Sequence, residues 1–141
     1  MKTSSEVIAD LKSLIIPVEP SLSGGKICEY NRPLSSKEND VVINLIGASN
    51  EYMQFAIGNI NLHAKNPSIT LSNGKDKDNS QPNVPVFNSL ASLIIPLIKR
   101  YAGNSFRVEL RKDNGLIRDN DGSWYQNLQV NYWSLQNEST A

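Results

Sequence analysis

The sequence predicts an α+β domain: a single, mostly antiparallel sheet of about five strands with two helices packed on it, in the chain order α-β-β-β-α-β-β. Three observations predict this. Two segments place apolar residues at helical spacing, one near the start of the chain and one past its middle. Five others are rich in β-branched and aromatic residues, several with strand-like alternation. The length, 141 residues, suits one domain with one core.

The first helix is expected over residues 5–16. Thr3 and Glu6 have the spacing of a capping box, and Val7, Ile8, Leu11, Leu14 and Ile15 form one apolar face. Pro17 should stop it, and Pro20 with Gly24-Gly25 should keep the next stretch in loop. Residues 26–32 read as a short strand ended by Pro33, and residues 34–39 as a polar turn. Lys37, Glu38 and Asp40 read as a solvated charge cluster at a loop tip.

Residues 40–64 carry the densest β signal, as two strands joined by a turn at Gly47-Ala48-Ser49-Asn50. The first, 40–46, has Val41, Ile43 and Leu45 on one face and Val42, Asn44 and Ile46 on the other. Two apolar faces imply an interior strand, or one covered by helices on one side and a neighbouring subunit on the other. In the second, 51–64, Met53, Phe55 and Ile57 keep one parity, and Ile60 and Leu62 keep the opposite one. A bulge at or next to Gly58-Asn59 would return both halves to one core face.

Residues 65–84 are polar and punctuated by prolines, and they read as a flexible arm in which Ile69-Thr70-Leu71 could form a short strand. Either it is a solvated connection or it docks a partner and orders on assembly. The second helix is expected over 85–101, with Phe87, Leu90, Ala91, Ile94, Leu97, Ile98 and Tyr101 on its apolar face, a kink at Pro96, Lys99 and Arg100 in the last turn, and Gly103 just beyond. Residues 105–112 alternate as a strand, with Phe106, Val108 and Leu110 inward. Asp113-Asn114-Gly115 and residues 119–122 read as turns, leaving Leu116 and Ile117 as a bridge. The last strand, 123–135, sets Trp124, Leu128, Val130 and Tyr132 against a second face of amides framed by Tyr125 and Trp133. Residues 136–141 should fray.

The charges balance, 14 basic against 14 acidic, which argues against specific nucleic-acid or anionic-membrane binding. One cysteine, Cys28, excludes an internal disulfide and reads as a packed strand residue. No apolar run is long enough to span a membrane, and the first residues carry acids and no signal-like core, so a reducing cytoplasm is expected. His63 is the single histidine, and no zinc set, nucleophile motif, calcium loop or phosphate loop accompanies it. No catalytic residue, cofactor or metal is expected. Arg107, Arg111, Lys112 and Arg118 could form a basic patch beside Tyr125 and Trp133, but Glu109, Asp113, Asp119 and Asp121 dilute it.

With these elements in order, the chain resembles a known family. GGKICEYNRP, DVVINLIG, GNINLHAKNP, a long loop, a helix and WYQNLQVNYWS resemble the tail completion proteins, or tail terminators, of long-tailed phages, in particular those of gut Bacteroidetes phages. The match is strongest at Arg32-Pro33, at residues 40–44, and at Gly58 to His63 with Asn66-Pro67, and it covers about residues 7–135. The resemblance implies a mixed sheet flanked by helices without a catalytic site. It implies a virion structural protein, assembled in the host cytoplasm. Its partners would be itself, as a hexameric ring, the tail-tube protein and the head-tail connector. The ring would cap the head-proximal end of the tube and stop its growth. Interface candidates are Lys65, Asn66, Lys75, Asp76, Lys77 and Asp78 on the arm, and Arg107, Arg111, Tyr125, Asn127, Gln129 and Trp133 on the last two strands. The alternatives are a related neck or connector subunit and a small cytoplasmic module that docks peptides by strand addition.

Overall fold

The computed structural model describes residues 1–135. Helix α1 (Ser4–Ile15) starts on the expected capping box: Thr3 Oγ1 accepts from the Glu6 N–H at 3.3 Å, and the Glu6 carboxylate accepts from the Thr3 N–H at 3.0 Å. Its Val7, Ile8, Leu11 and Ile15 are buried. Pro17 and Pro20 do not lead into loop as expected. Ile16–Leu22 forms a 3₁₀ helix that buries Val18 and Leu22. Pro17, in the first turn, gives up no helical hydrogen bond, whereas Pro20 lies inside the helix and has no N–H to donate; the buried Val18 and Leu22 hold the turn against the core nonetheless.

Strands β1 (Ile27–Glu29), β2 (Val41–Ala48) and β3 (Met53–Ala64) come next. A two-stranded hairpin, β4 (Ile69–Thr70) and β5 (Lys77–Asp78), leads to α2 (Val84–Ile98). Strands β6 (Arg100–Ala102), β7 (Phe106–Arg118) and β8 (Trp124–Leu135) complete the described chain. The main sheet has six strands in the order β1-β2-β3-β8-β7-β6, where about five were expected. Its pairs are antiparallel except β1–β2, which is parallel. The expected fraying of 136–141 lies outside the described residues.

The extra strand comes from the end of the second helix. Helix α2 closes at Ile98, and the chain turns at once into β6, pairing Arg100 with Glu109. Lys99 is the C-cap, its N–H donating to the Ile95 carbonyl at 2.8 Å, but Arg100 and Tyr101, both expected in the helix, belong to β6, and Gly103 lies in the β6–β7 turn. Pro96 sits two residues before the helix end, so little helix lies beyond the bond it removes.

The predicted bulge at Gly58-Asn59 is corrected. Strand β3 pairs with β8 without a break from Met53 to Ala64. The irregularity lies opposite, in β2 between Leu45 and Gly47. Ile57 and Ile60 consequently sit on opposite faces, and Gln54, Ala56, Ile60, Leu62 and Ala64 line the core. The change of parity marks a change of lining rather than a change of strand geometry. Gly58 serves close packing: a Cβ there would lie 2.8 Å from Leu11 Cδ1 and 3.3 Å from Val130 Cγ2.

Asp113-Asn114-Gly115 is likewise no hairpin turn. β7 runs through it, with register shifts at Leu110/Lys112 and Asp113/Leu116, and Gly115 takes a φ of 77°. The turn is Asp119 to Gly122, closed by Gly122 N–H donating to the Asp119 carbonyl at 3.0 Å.

Both helices pack on one face of the sheet. Residues of α1 and α2 form one core cluster with Val41, Ile43, Ile60, Leu62, Val108, Leu128, Val130 and Tyr132. Each such buried aliphatic side chain contributes about 1.5–3 kcal/mol, largely offset by the entropy of ordering the chain. The N-terminal segment closes one end of the core. Gln54, fully buried, exchanges hydrogen bonds with the Lys2 backbone at 3.1 and 2.8 Å, and Tyr132 and Lys2 both donate to Asp10.

Candidate functional site

The face of the sheet opposite the helices carries the features of interest. Odd-numbered residues of β3 and β8 and even-numbered residues at the start of β2 point to it. Its middle is a ladder of amides. Asn59 donates to Asn44 at 2.8 Å; Asn127 donates to Asn61 at 2.7 Å and to Asn59 at 3.1 Å; Asn114 donates to Asn127 at 2.6 Å. Asparagine has one acceptor and two donors, so these side chains satisfy one another across neighbouring strands and stay uncharged at any ordinary pH. The ladder fixes strand register on a face with no aliphatic core.

At one end of the ladder the surface is aromatic and apolar. Phe55 packs on Trp133 with ring centroids 5.7 Å apart, and the Arg107 guanidinium lies 5.2 Å from the Trp133 ring centre. Ile46, Tyr52, Met53 and Leu135 are all exposed around this end. At the other end His63 stacks on Tyr125 at 5.5 Å, beneath the loop of residues 30–37. The loop and the sheet enclose an open cleft of about 670 Å³.

Asp40 builds that loop. It was expected in a solvated tip, yet it is 1% exposed. One carboxylate oxygen accepts from Ser36 Oγ at 2.6 Å and Arg32 Nε at 2.9 Å; the other accepts from the Lys26 N–H at 2.9 Å. Burial alone would raise its pKa, but these donors and the Arg32 charge together hold it below the ordinary carboxylate value. The held loop carries Tyr30 and Ser35 at positive φ and lifts Leu34 fully into solvent.

His63 is 8% exposed, and its Nδ1 has no hydrogen-bond partner. Burial, reinforced by the Arg32 charge, lowers its pKa to about 4, so the ring is neutral at pH 7. Cys28, half-buried in β1, has its thiol pKa raised by burial and by Asp40, so it is not an activated nucleophile. Among the described residues no three His, Cys, Asp or Glu side chains gather to hold a metal ion. Among them, too, no helix is long and apolar enough to cross a membrane.

The sequence-predicted interface residues divide into three places. Tyr125, Asn127, Gln129 and Trp133 share the uncovered face, joined at its margin by Arg107 and by Arg111, which donates to Asn131 at 3.3 Å. Lys65 and Asn66 lie where β3 ends, and Asn66 Nδ2 ties two segments together by donating to the carbonyls of Asn79 and Gly122, both at 2.9 Å. Lys75, Asp76, Lys77 and Asp78 form the tip and second strand of the β4–β5 hairpin. Asn73 Oδ1 accepts from the Lys75 and Asp76 N–H groups there, and Asp78 Oδ1 accepts from Ser80. The segment expected as a flexible arm thus contains the short strand at Ile69-Thr70 and an anchor from Trp124 Nε1 to the Ser80 carbonyl at 2.8 Å.

Sequence reasoning missed Asn44 and Asn114 as ladder members and Asp40 as a buried hub. Asn114 was hidden by a turn-like tripeptide, whereas the alternation of Asn59 and Asn61 was the available signal for the ladder. The basic patch does not form as one unit: Arg107 and Arg118 stand at opposite ends of β7, roughly 35 Å apart along the strand. No protein-family model matches this sequence, and no characterised protein matches it.

Proposed function

We propose that this chain is a non-enzymatic virion structural protein. It assembles with copies of itself as a ring on the head-proximal end of a phage tail tube, stops tube growth and meets the head connector. The observation that carries the reading is the helix-free sheet face with Ile46, Tyr52, Met53 and Leu135 exposed around Phe55 and Trp133. Contiguous apolar surface rimmed by polar groups is characteristic of interaction sites. The neighbouring amides and Arg107 suit a wet interface with an aromatic anchor. The family resemblance of the sequence supplies the biological setting.

The strand-addition alternative rests on a different observation. β6 pairs with β7 only from Arg107 to Glu109, so the outer edge of β7 beyond Leu110 has no strand beside it among the described residues. Its two irregularities and exposed Arg111 and Lys112 are features that discourage edge pairing, which favours the first reading.

Sedimentation of the purified chain, alone and with tail tubes, tests the proposal. Ring-sized species on tube ends are expected, and Met53→Glu with Trp133→Glu should abolish them without altering the circular dichroism. A wild-type chain that stays monomeric and leaves tube length unchanged refutes it. A monomer that binds extended peptides along β7 establishes the alternative.

A further inference from the structure

The β4–β5 hairpin stands off the body of the chain. Residues 68–77 are all exposed, and the segment is tied at its base, where Asn66 donates to the Asn79 carbonyl and Trp124 Nε1 to the Ser80 carbonyl. Its tip is closed locally: Asn73 Oδ1 accepts from the Lys75 and Asp76 N–H groups, and the Gly74 N–H donates to the Leu71 carbonyl at 2.9 Å.

The register gives this hairpin two unlike faces. Ile69 lies opposite Asp78, and Leu71, whose N–H donates to the Asp76 carbonyl at 2.8 Å, lies opposite Asp76. Paired residues share a face, as do residues two apart, so Ile69, Leu71, Asp76 and Asp78 stand together. Thr70 and Lys77 hold the reverse face, where Lys77 Nζ reaches Thr70 Oγ1 at 3.4 Å. One face is therefore apolar and acidic, with Ile69 44% and Leu71 43% exposed. Asp78 is tied to Ser80 and lies in the field of Arg118. The available charge is that of Asp76, whose carboxylate accepts from the neutral Asn73 amide at 2.6 Å and has no ion pair among the described residues.

The opposite end of the sheet has the complementary character. Ile46, Met53 and Leu135 are exposed around it, and Arg107 stacks on Trp133. Arg111 reaches the same face by donating to Asn131, and Glu109, between the two arginines, is paired with Arg100 at 3.7 Å. This patch is apolar and basic where the hairpin is apolar and acidic. β3 separates them: the patch surrounds its first residues and the hairpin follows its last, roughly 35 Å away. One copy therefore cannot lay its hairpin on its own patch.

We infer that the hairpin of one copy seats on the Trp133 patch of the next, with Ile69 and Leu71 on the apolar side chains and Asp76 towards Arg107 and Arg111. The contact rests on the self-assembly proposed above and gives it a direction. Two different surfaces meet, so the association is head-to-tail, the kind that closes into a ring or runs on as a filament. A patch that met the same patch of a second copy would stop at a dimer. The opposite charges set orientation more than affinity. Two half-exposed apolar side chains make a weak single contact, which ring closure strengthens by making the last one intramolecular.

Two chains, each blocked on one surface, test the pairing. One carries Ile69→Lys with Leu71→Lys and keeps its patch; the other carries Met53→Glu with Trp133→Glu and keeps its hairpin. Circular dichroism checks that both fold. The first, ¹⁵N-labelled, is titrated with the second, unlabelled, and followed by NMR and by sedimentation. Expected are saturable shifts of the Trp133 indole and of the Phe55 and Arg107 amides, and growth that ends at a dimer. Unlabelled copies of the first chain should produce no shifts. Adding Asp76→Lys to the hairpin donor should weaken the contact about two- to fivefold, and Arg111→Glu in the labelled chain should restore it. No shifts in the mixture overturn the pairing, whether or not the wild type forms rings on tail tubes. A hairpin-blocked chain that associates with itself overturns it too, in favour of patch on patch. Shifts in the mixture from a protein whose wild type forms no ring on tubes uphold the pairing and refute the ring. Binding indifferent to Asp76→Lys overturns the role given to Asp76.

Discussion

His63 should make stability depend on pH in a window where few other groups titrate. Its ordinary pKa of 6.5 falls to about 4 in the folded chain because burial and Arg32 disfavour the imidazolium. Between those values the unfolded chain binds a proton that the folded chain does not, so unfolding becomes easier as pH falls. The stabilisation is complete above pH 6.5 and is lost on descending towards pH 4. Its full size is about 3 kcal/mol, with a limiting slope of about 1.4 kcal/mol per pH unit. That is a large share of the roughly 5–15 kcal/mol by which a typical domain is stable. His63 is the single histidine, so the effect can be assigned without ambiguity. Urea unfolding from pH 8 to 4, on wild type and His63→Gln, measures it. The wild-type free energy should fall more steeply than the variant's across the window, and the His63 ring protons should show no titration near 6.5 by NMR. Parallel pH profiles for the two proteins, or a His63 midpoint at the ordinary value, would refute the account of its burial.

Three other outcomes rest on the packing. Asp40→Asn removes the buried partner of Arg32 and should cost about 3–5 kcal/mol in urea unfolding. Because the Asp40 pKa is depressed, the stability it contributes is present above the ordinary carboxylate value and lost below it, so the variant should also have a flatter acid limb below about pH 4. Gly58→Val forces side chains onto Leu11 and Val130 and should cost about 1–3 kcal/mol, whereas Gly47→Ala, with open space around the new Cβ, should change stability by less than about 0.5 kcal/mol. Thr3→Ala removes the capping box of α1 and should lower the free energy of unfolding by about 1 kcal/mol.

Local chemistry made several elements legible. Thr3 and Glu6 mark the start of α1 because a cap needs only neighbours in sequence. The alternation of Phe106, Val108 and Leu110 and of Leu128, Val130 and Tyr132 marks β7 and β8, because period two is the geometry of a strand. The misreadings share a cause. Gly58 looked like a bulge because its neighbours change parity, but that change records which side chains meet Leu11 and Val130, a long-range fact. Asp113-Asn114-Gly115 looked like a turn because its preferences are turn preferences, and pairing with β8 overrides them. Asp40 looked solvated because its sequence neighbours are charged, although its donors come from Arg32, Ser36 and Lys26. Within the candidate site, Tyr125, Asn127 and Trp133 were readable as one strand face, while their assembly with Asn44, Asn59 and Asn61 was not.

The sequence by itself determined the α+β class, the two amphipathic helices, the N-terminal cap of α1 and the apolar alternation of the long strands. Each depends on interactions between residues close in the chain. Tertiary structure alone decided the sixth strand, the parallel β1–β2 edge and the side of the sheet left without a helix. Those features depend on which distant segments pair, and a side chain's environment is set by its partners across the sheet rather than by its neighbours along the chain.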